Sequence, residues 1–354
     1  MSYLRDNIER LEPYTPGYQP GEPGFIKLNT NENPYPPSPR VLEALRGACG
    51  EDIRKYPDPL ATGFRVKAAE VLGTKPARVI CGFGSDDLLN IAVRTFCGEG
   101  DVVAFPYPTY SLYEVLAQIQ NVRAVSIEFP EDFSLPGGLA EARARLVMIS
   151  NPNAPSGTMI EGERLAELAR KIEGVLLVDE AYVDFAEWNC LELANTMPNV
   201  IVTRTLSKSH SLAGLRFGYA VASEKLVEGM MKVKDSYNVS RPALAGATAA
   251  IADQAWLAQT TARLKRTRER LVAQLKKMRF FCWPSQANFV LARVPPGKDA
   301  AQVYEELFSR KILVRYFKRR RLEDCLRISI GTDDEIDALL AAMRDILGES
   351  STKG

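Results

Sequence analysis

Residues 174–180 read GVLLVDE, a short aliphatic run that stops at the carboxylate of Asp179. Consecutive apolar side chains on both alternating faces suit a strand covered on each side, as the central strands of parallel sheets are. Similar runs recur at RVICG (78–82), DVVAFP (101–106), VRAVSIEF (122–129), RLVMIS (145–150), NVIVTRT (199–205) and RFGYAVA (216–222). Between most of them the apolar period lengthens to that of a helix, as in SDDLLNIAVRTF (85–96), TYSLYEVLAQI (109–119) and EGERLAELARKI (161–172). Strands alternating with helices predict an α/β domain built on a mostly parallel sheet. Ligands of such a domain bind beyond the carboxyl ends of the strands.

The flanks differ. The stretch up to Ser38 is rich in Pro, Gly and Asn (EPYTPGYQPGEPG, NTNENPYPPSP) and predicts an extended arm. Ser38-Pro39 then caps a short helix, with Pro at its first position. Beyond Pro242 a basic helical segment (LKRTRERLVAQLKKM, 264–278) leads into a second, smaller α/β unit. Its pieces are NFVLARV, a helix DAAQVYEELFSR, ILVRY, CLRISIG and a last helix DDEIDALLAAMRDIL, followed by a frayed tail, GESSTKG. The expected division is an arm and part of a small domain over 1–45, a large domain over 46–252 and the small domain over 253–354.

Composition narrows the chemistry. The 354 residues are 46% hydrophobic and 25% charged, with a net charge of +1, so no basic field argues for nucleic acid or an acidic membrane surface. No apolar stretch of signal-peptide or membrane-span length is present, and a cytoplasmic protein is expected. Six scattered cysteines without a C-x-x-C pair read as reduced, mostly buried thiols. The single histidine, His210, excludes any site needing two, and a Ser-His-Asp triad unless His210 itself is the base. Its default reading is structural.

Three strand ends carry functional groups. VICGFGSDDLL (79–89) places a Gly-containing turn before a helix N-terminus, where backbone N–H groups and the helix dipole favour an anion. No G-K-[ST] follows, so it is not a Walker loop, and Asp87 stands where a dinucleotide fingerprint has its third glycine. Asp179 ends a buried strand, which costs free energy unless a partner compensates the charge. Lys208 follows the next strand, 29 positions on. A desolvated lysine loses its proton readily and attacks carbonyls. A lysine for an aldehyde, an acid for a ring nitrogen and donors for a phosphate together describe a pyridoxal phosphate site.

The segments SNPNAPSGT, VDEAYVDF and TLSKSHSLAGLRFGYA, in this order and spacing, resemble the fold-type I aminotransferases. With LNTNENPYPPSP, RKYPDP and PYPTYSLY the resemblance narrows to the histidinol-phosphate aminotransferase family, over about Tyr14 to Gly331. It implies a large domain with a mostly parallel seven-stranded sheet, a smaller α/β domain, an N-terminal arm and a homodimer. By this resemblance Lys208 bonds the cofactor aldehyde and moves the substrate proton, and Asp179 keeps the pyridine nitrogen protonated. Tyr182 meets the phenolic oxygen and Tyr110 stacks on the ring. Gly84, Ser85, Asp86, Thr205, Ser207 and Arg216 surround the phosphate, with Tyr56 reaching it from the partner subunit.

One position departs from the pattern. Ala154 stands where these enzymes usually carry an asparagine for the phenolic oxygen; either Asn153 takes that role with a shifted backbone, the preferred expectation, or Tyr182 acts alone. For substrate, the resemblance implies Arg327, Arg315 and Tyr14 as ligands of its phosphate, while in many aminotransferases the arginine matching Arg327 serves a substrate carboxylate, and a guanidinium fork suits either anion. The run KRRR (318–321) reads as a solvated turn. The implied reaction transfers the amino group of L-histidinol phosphate to 2-oxoglutarate. An aromatic amino-acid aminotransferase and a threonine-phosphate decarboxylase remain as alternatives. A cofactor-binding transcriptional regulator fits poorly, since the 38 residues before the first helix are too few and too proline-rich for a helix-turn-helix unit.

Overall fold

The computed structural model describes residues 2–348; the expected frayed end of the tail, 349–354, lies outside them. Seven strands form the main sheet: β1 (Val79–Gly82), β2 (Val102–Tyr107), β3 (Arg123–Glu128), β4 (Leu146–Ser150), β5 (Val175–Asp179), β6 (Val200–Thr205) and β7 (Gly218–Ala222). Their spatial order is β1-β7-β6-β5-β4-β2-β3. All neighbours run parallel except β7, which is antiparallel to both β1 and β6. The mostly parallel seven-stranded sheet expected from the sequence is therefore present.

The alternation of aliphatic residues explains its stability. On β4, Val147 and Ile149 enter one apolar layer and Leu146 and Met148 the opposite one. On β5 and β6 the same split separates Leu176, Val178, Val200 and Val202 from Leu177 and Ile201. Each such side chain, fully buried, contributes about 1.5–3 kcal/mol relative to exposure. Helices Gly84–Phe96 and Leu112–Gln120 supply Leu88, Leu89, Ile91, Tyr113 and Leu116 to one layer. Only β3, at the edge, has no fully buried residue.

A four-stranded antiparallel sheet lies in the second unit, in the order Arg315–Tyr316, Cys325–Ser329, Phe289–Arg293, Phe281–Cys282. Helices Gln254–Lys277, Ala300–Ser309 and Asp333–Leu347 pack on it through Leu264, Leu271, Leu307, Ile336 and Leu339. The last helix begins with a capping box: Glu335 N–H donates to Thr332 Oγ1 at 3.2 Å and Thr332 N–H to the Glu335 carboxylate at 2.7 Å.

Two features depart from the sequence reading. ILVRY is split: Ile312–Leu313 pairs in parallel with Ile26–Lys27, whereas Arg315–Tyr316 pairs with Cys325–Ser329. The arm is accordingly not merely extended. It carries a helical turn at Asp6–Glu9, joins the second unit at Ile26–Lys27 and runs on toward the carboxyl ends of the main sheet.

Candidate active site

The carboxyl ends of β4, β5 and β6, the arm and the four-stranded sheet enclose one cavity of about 430 Å³. Asp179 lies at its floor, 3% exposed, because β5 delivers it there at the end of the aliphatic run. It accepts hydrogen bonds from Tyr113 Oη at 3.0 Å and Thr203 Oγ1 at 3.2 Å. Burial pushes its pKa up to about 6, against the pull of the Tyr113 hydrogen bond. The neighbouring Glu180 points the other way, into a buried pair with Arg204 at 2.8 Å.

Lys208 reaches the same cavity from the loop after β6, its Nζ donating to Thr30 O at 3.3 Å and lying 5.9 Å from the centre of the Tyr182 ring. Burial, helped by the positive charge of Arg327, brings its pKa down to about 8. A group near that value is partly neutral at physiological pH, as a nucleophile or base must be.

One wall gathers donors. Arg216 extends its guanidinium to Asp86 Oδ2 at 3.1 Å and to Ser207 Oγ at 3.4 Å. Thr205, at the end of β6, donates to Ser207 Oγ at 3.0 Å. Helix Gly84–Phe96 starts here without a side-chain cap, leaving its first N–H groups available. Gly84 has φ +81°, and a Cβ there would sit 2.7 Å from Arg216 Nη2, so only glycine lets the guanidinium so close. Gly84 itself is behind the cavity surface, while Ser85 and Asp86 line it. Tyr110 closes this side, its hydroxyl on Asp86 Oδ1 at 3.2 Å and its ring 5.7 Å from that of Tyr14.

The opposite wall holds Arg315 and Arg327. Their guanidinium carbons lie 5.3 and 5.4 Å from the ring centre of Phe317. Arg315 donates to the carbonyls of Thr15 and Pro16, and Arg327 to that of Asn29 at 2.9 Å. The Nε of Arg327 is buried without a hydrogen-bond partner.

One expected residue is elsewhere. Asn153 does not line the cavity: its amide donates to Pro108 O at 3.2 Å and Ser156 Oγ at 2.9 Å, and it accepts from Thr109 Oγ1 at 2.8 Å. These bonds hold the 153–158 loop together and leave no amide hydrogen for a ligand. Ala154 occupies the wall instead. The side chain that meets the Tyr182 hydroxyl is Asn31, donating at 3.0 Å from the arm. Tyr56, expected to serve the site of a partner subunit and not that of its own chain, is 76% exposed on the surface and stacked on Tyr237 at 4.3 Å. Sequence reading also missed Tyr113, Asn31 and the lining role of Lys318 and Arg319. LNTNENP and PYPTYSLY contain two of them, without any local signal of which side chain turns inward.

His210 is buried away from the cavity beside Ser209 and Asp184, consistent with a structural residue. Among the described residues no helix is long and apolar enough to cross a membrane.

The donor set suits pyridoxal phosphate. Arg216, Ser207, Ser85 and an uncapped helix start offer a phosphate cradle, Asp179 offers a buried carboxylate and Lys208 an amine of lowered pKa. Arg315 and Arg327, across the cavity, bring two further positive charges suited to a second anion.

Comparison with known proteins places the chain in a family. The model of the family "Aminotransferase class I and II" matches residues 23–343. A histidinol-phosphate aminotransferase of Rhodopirellula baltica is 46% identical over 343 residues, 96% of this chain and 94% of its own length. One from Geotalea uraniireducens is 44% identical over 98% of this chain and 100% of its own. Among solved structures, histidinol-phosphate aminotransferase from Sinorhizobium meliloti in complex with pyridoxal-5'-phosphate superposes with a TM-score of 0.89 at 30% identity, covering 99% of this chain and 98% of that one. The matched segment contains both sheets and nearly every residue of the cavity, and the chain belongs to the class I and II aminotransferases.

Proposed function

We propose that this protein is a pyridoxal phosphate-dependent histidinol-phosphate aminotransferase of histidine biosynthesis, converting L-histidinol phosphate and 2-oxoglutarate to imidazole acetol phosphate and glutamate. The observation that carries this reading is the pair of cationic walls on either side of Lys208. One is built around Arg216 and Ser207, the other around Arg315 and Arg327. The relatives at 44–46% identity carry the same activity in their names.

When bound, the cofactor supplies an aldehyde carbon to receive the amino group and a ring that accepts electrons from the substrate Cα. The chain's own residues do the rest. Lys208 Nζ, neutral in part near pH 7, takes the proton from the substrate Cα and returns it, a step worth roughly 10² to 10⁴ in rate. Asp179 holds a proton at the pyridine nitrogen, and Thr203 and Tyr113 orient its carboxylate. Tyr182, aligned by Asn31, hydrogen-bonds the phenolic oxygen, and Tyr110 stacks on the ring. Asn153 has no place in this set.

Arg216, Ser207, Ser85, Asp86, Thr205 and the turn at Gly84 fix the cofactor phosphate. Arg327, Arg315 and Tyr14 take the substrate phosphate, for which a guanidinium's paired N–H donors are suited. The exposed Tyr56–Tyr237 stack fits a residue that completes a partner's site, so the working unit is a homodimer. The apolar cluster shared by the four-stranded sheet and helices Gln254–Lys277, Ala300–Ser309 and Asp333–Leu347, and the pairing of Ile26–Lys27 with Ile312–Leu313, support an arm with part of a small domain over 1–45, a large domain over 46–252 and a small one over 253–354. A cytoplasmic location, with no nucleic-acid or membrane partner, accords with the small net charge.

The test is the absorption spectrum of the cofactor-loaded protein on adding histidinol phosphate without an oxo acid. Conversion of the cofactor band to that of the amine form, and its return with 2-oxoglutarate, is expected. A band that histidinol phosphate leaves unchanged but phenylalanine converts would move the substrate assignment to aromatic amino acids.

A further inference from the structure

The basic turn at Lys318–Arg321 divides its side chains between two surfaces. Arg320 pairs with Glu128 at the edge of the main sheet and lies 5.7 Å from the Tyr107 ring centre, whose hydroxyl donates to Arg320 O at 3.2 Å. Arg321 donates to the carbonyls of Phe129 and Pro130. The turn is closed by Arg319 N–H on Phe317 O at 2.8 Å and Leu322 N–H on Arg319 O at 2.9 Å. Its second half is thus anchored to the main sheet, and its first half has no such tie. Lys318 and Arg319 are exposed, line the rim of the cavity and join no ion pair among the described residues.

The charge balance of the cavity gives these two cations a role. Its lining carries Lys208, Arg216, Arg315, Lys318, Arg319 and Arg327 against only Glu32, Asp86 and Asp179. Asp86 is matched by Arg216, and Glu32 by Lys27 at 2.5 Å. The positive surplus therefore lies on the Arg315–Arg327 side, and Lys318 and Arg319 extend it to the mouth. A cleft lined by one sign of charge focuses the field and raises the encounter rate of the opposite charge.

We propose that Lys318 and Arg319 form an outer capture station for phosphomonoester dianions, met before the inner pair Arg315 and Arg327. The proposal rests on the reading of the substrate as a phosphate ester. It assigns the two side chains to substrate capture and discrimination, not to the chemical step. A dianion concentrated at one end of a small molecule gains most from two adjacent exposed cations. A carboxylate of a dicarboxylic acid carries half that charge and gains less.

The experiment uses cofactor-loaded wild type and the double variant Lys318→Ser/Arg319→Ser, with kcat/KM for histidinol phosphate measured from about 20 to about 300 mM salt, over which the screening length falls about fourfold. A loss of about fivefold or more at low salt, carried by KM and closing at high salt, is expected, with a much smaller loss for phenylalanine as donor. Unchanged kcat/KM at low salt overturns the proposal. So does an equal loss at every salt concentration and for both donors, since this would report damage to the fold. Calorimetric binding of sn-glycerol 3-phosphate and of glutarate to the same two proteins supplies a readout without turnover. The variant should weaken the phosphate ester more than the dicarboxylate. If wild type fails to turn over histidinol phosphate, yet binds the phosphate ester in a manner lost in the variant, the proposed function falls and the capture station stands. Phosphate-ester binding that survives the substitutions overturns the station, whatever the substrate proves to be.

Discussion

The hydroxyl of Tyr113, fully buried in helix Leu112–Gln120, donates to the carboxylate of Asp179 at 3.0 Å. Burial raises the proton affinity of Asp179 and this bond opposes it, leaving a pKa of about 6. Tyr113→Phe should move the carboxyl midpoint of the cofactor-free protein above that value, as read by infrared titration. A midpoint that stays put or falls would refute the assignment. The sign for stability follows. The folded pKa lies above the ordinary 3.8, so Asp179's favourable share is complete below about pH 3.8 and is lost as pH rises through about 6. In Tyr113→Phe the loss should extend to higher pH.

Lys208 titrates in the opposite sense. Its folded pKa of about 8 lies below the ordinary 10.5, so the unfolded chain binds more protons between those values and stability rises with pH there. Below pH 8 the penalty is complete. Lys208→Met should therefore raise the melting temperature of the cofactor-free protein at pH 7, the gain shrinking above pH 8. Turnover should fall by at least the roughly 10² to 10⁴ of a lost general base. A variant less stable than wild type at pH 7 would contradict the burial argument.

Asn31 links the arm to both sheets. Its amide reaches Tyr182, its carbonyl oxygen accepts from Ser329 Oγ at 2.9 Å, and its main-chain oxygen accepts from Asn288 at 2.9 Å. Asn31→Ala strands the Ser329 hydroxyl and the Tyr182 oxygen, at a cost of about 1–3 kcal/mol in chemical denaturation. Asn31→Asp keeps the acceptor for Ser329 but cannot donate to Tyr182. It should impair turnover more than its stability loss accounts for, and equal impairment of both would argue for a purely structural residue.

The Glu180–Arg204 pair is buried beneath the site. Arg204→Met leaves the Glu180 carboxylate without its guanidinium, which costs about 3–5 kcal/mol. Replacing both by apolar residues of similar volume should recover much of that in urea unfolding. If the double replacement is as damaging as the single one, the pair is not the source of the loss.

Arg327→Lys keeps the charge but not the planar fork, and cannot hold a phosphate through paired donors. A loss of about 1.5–3 kcal/mol in transition-state binding, visible in kcat/KM for histidinol phosphate, is expected. Wild-type kcat/KM in this variant would remove Arg327 from the phosphate site.

Much of this protein was determined by the sequence on its own. The main-sheet strands follow from local apolar runs; all but the edge strand β3 are buried on both faces and so apolar at successive positions. Asp179 was legible because it ends such a run and Lys208 because it follows one by a few residues, and strand carboxyl ends face the cleft in this architecture. Tertiary structure decided which side chains meet there. Asn31 and Tyr182 lie 151 positions apart, and Tyr113 and Asp179 lie 66 apart. No local pattern encodes those contacts, since they depend on how the arm and helices dock. The same holds for Asn153: its one-residue offset from Ala154 suggested a shifted backbone, whereas packing turned its amide into the loop. ILVRY looked like one strand because its period is uniform, and only the positions of two different neighbours divided it. Periodicity reports what a segment buries, and the direction of each polar side chain is set by the partners that long-range packing brings within hydrogen-bonding reach.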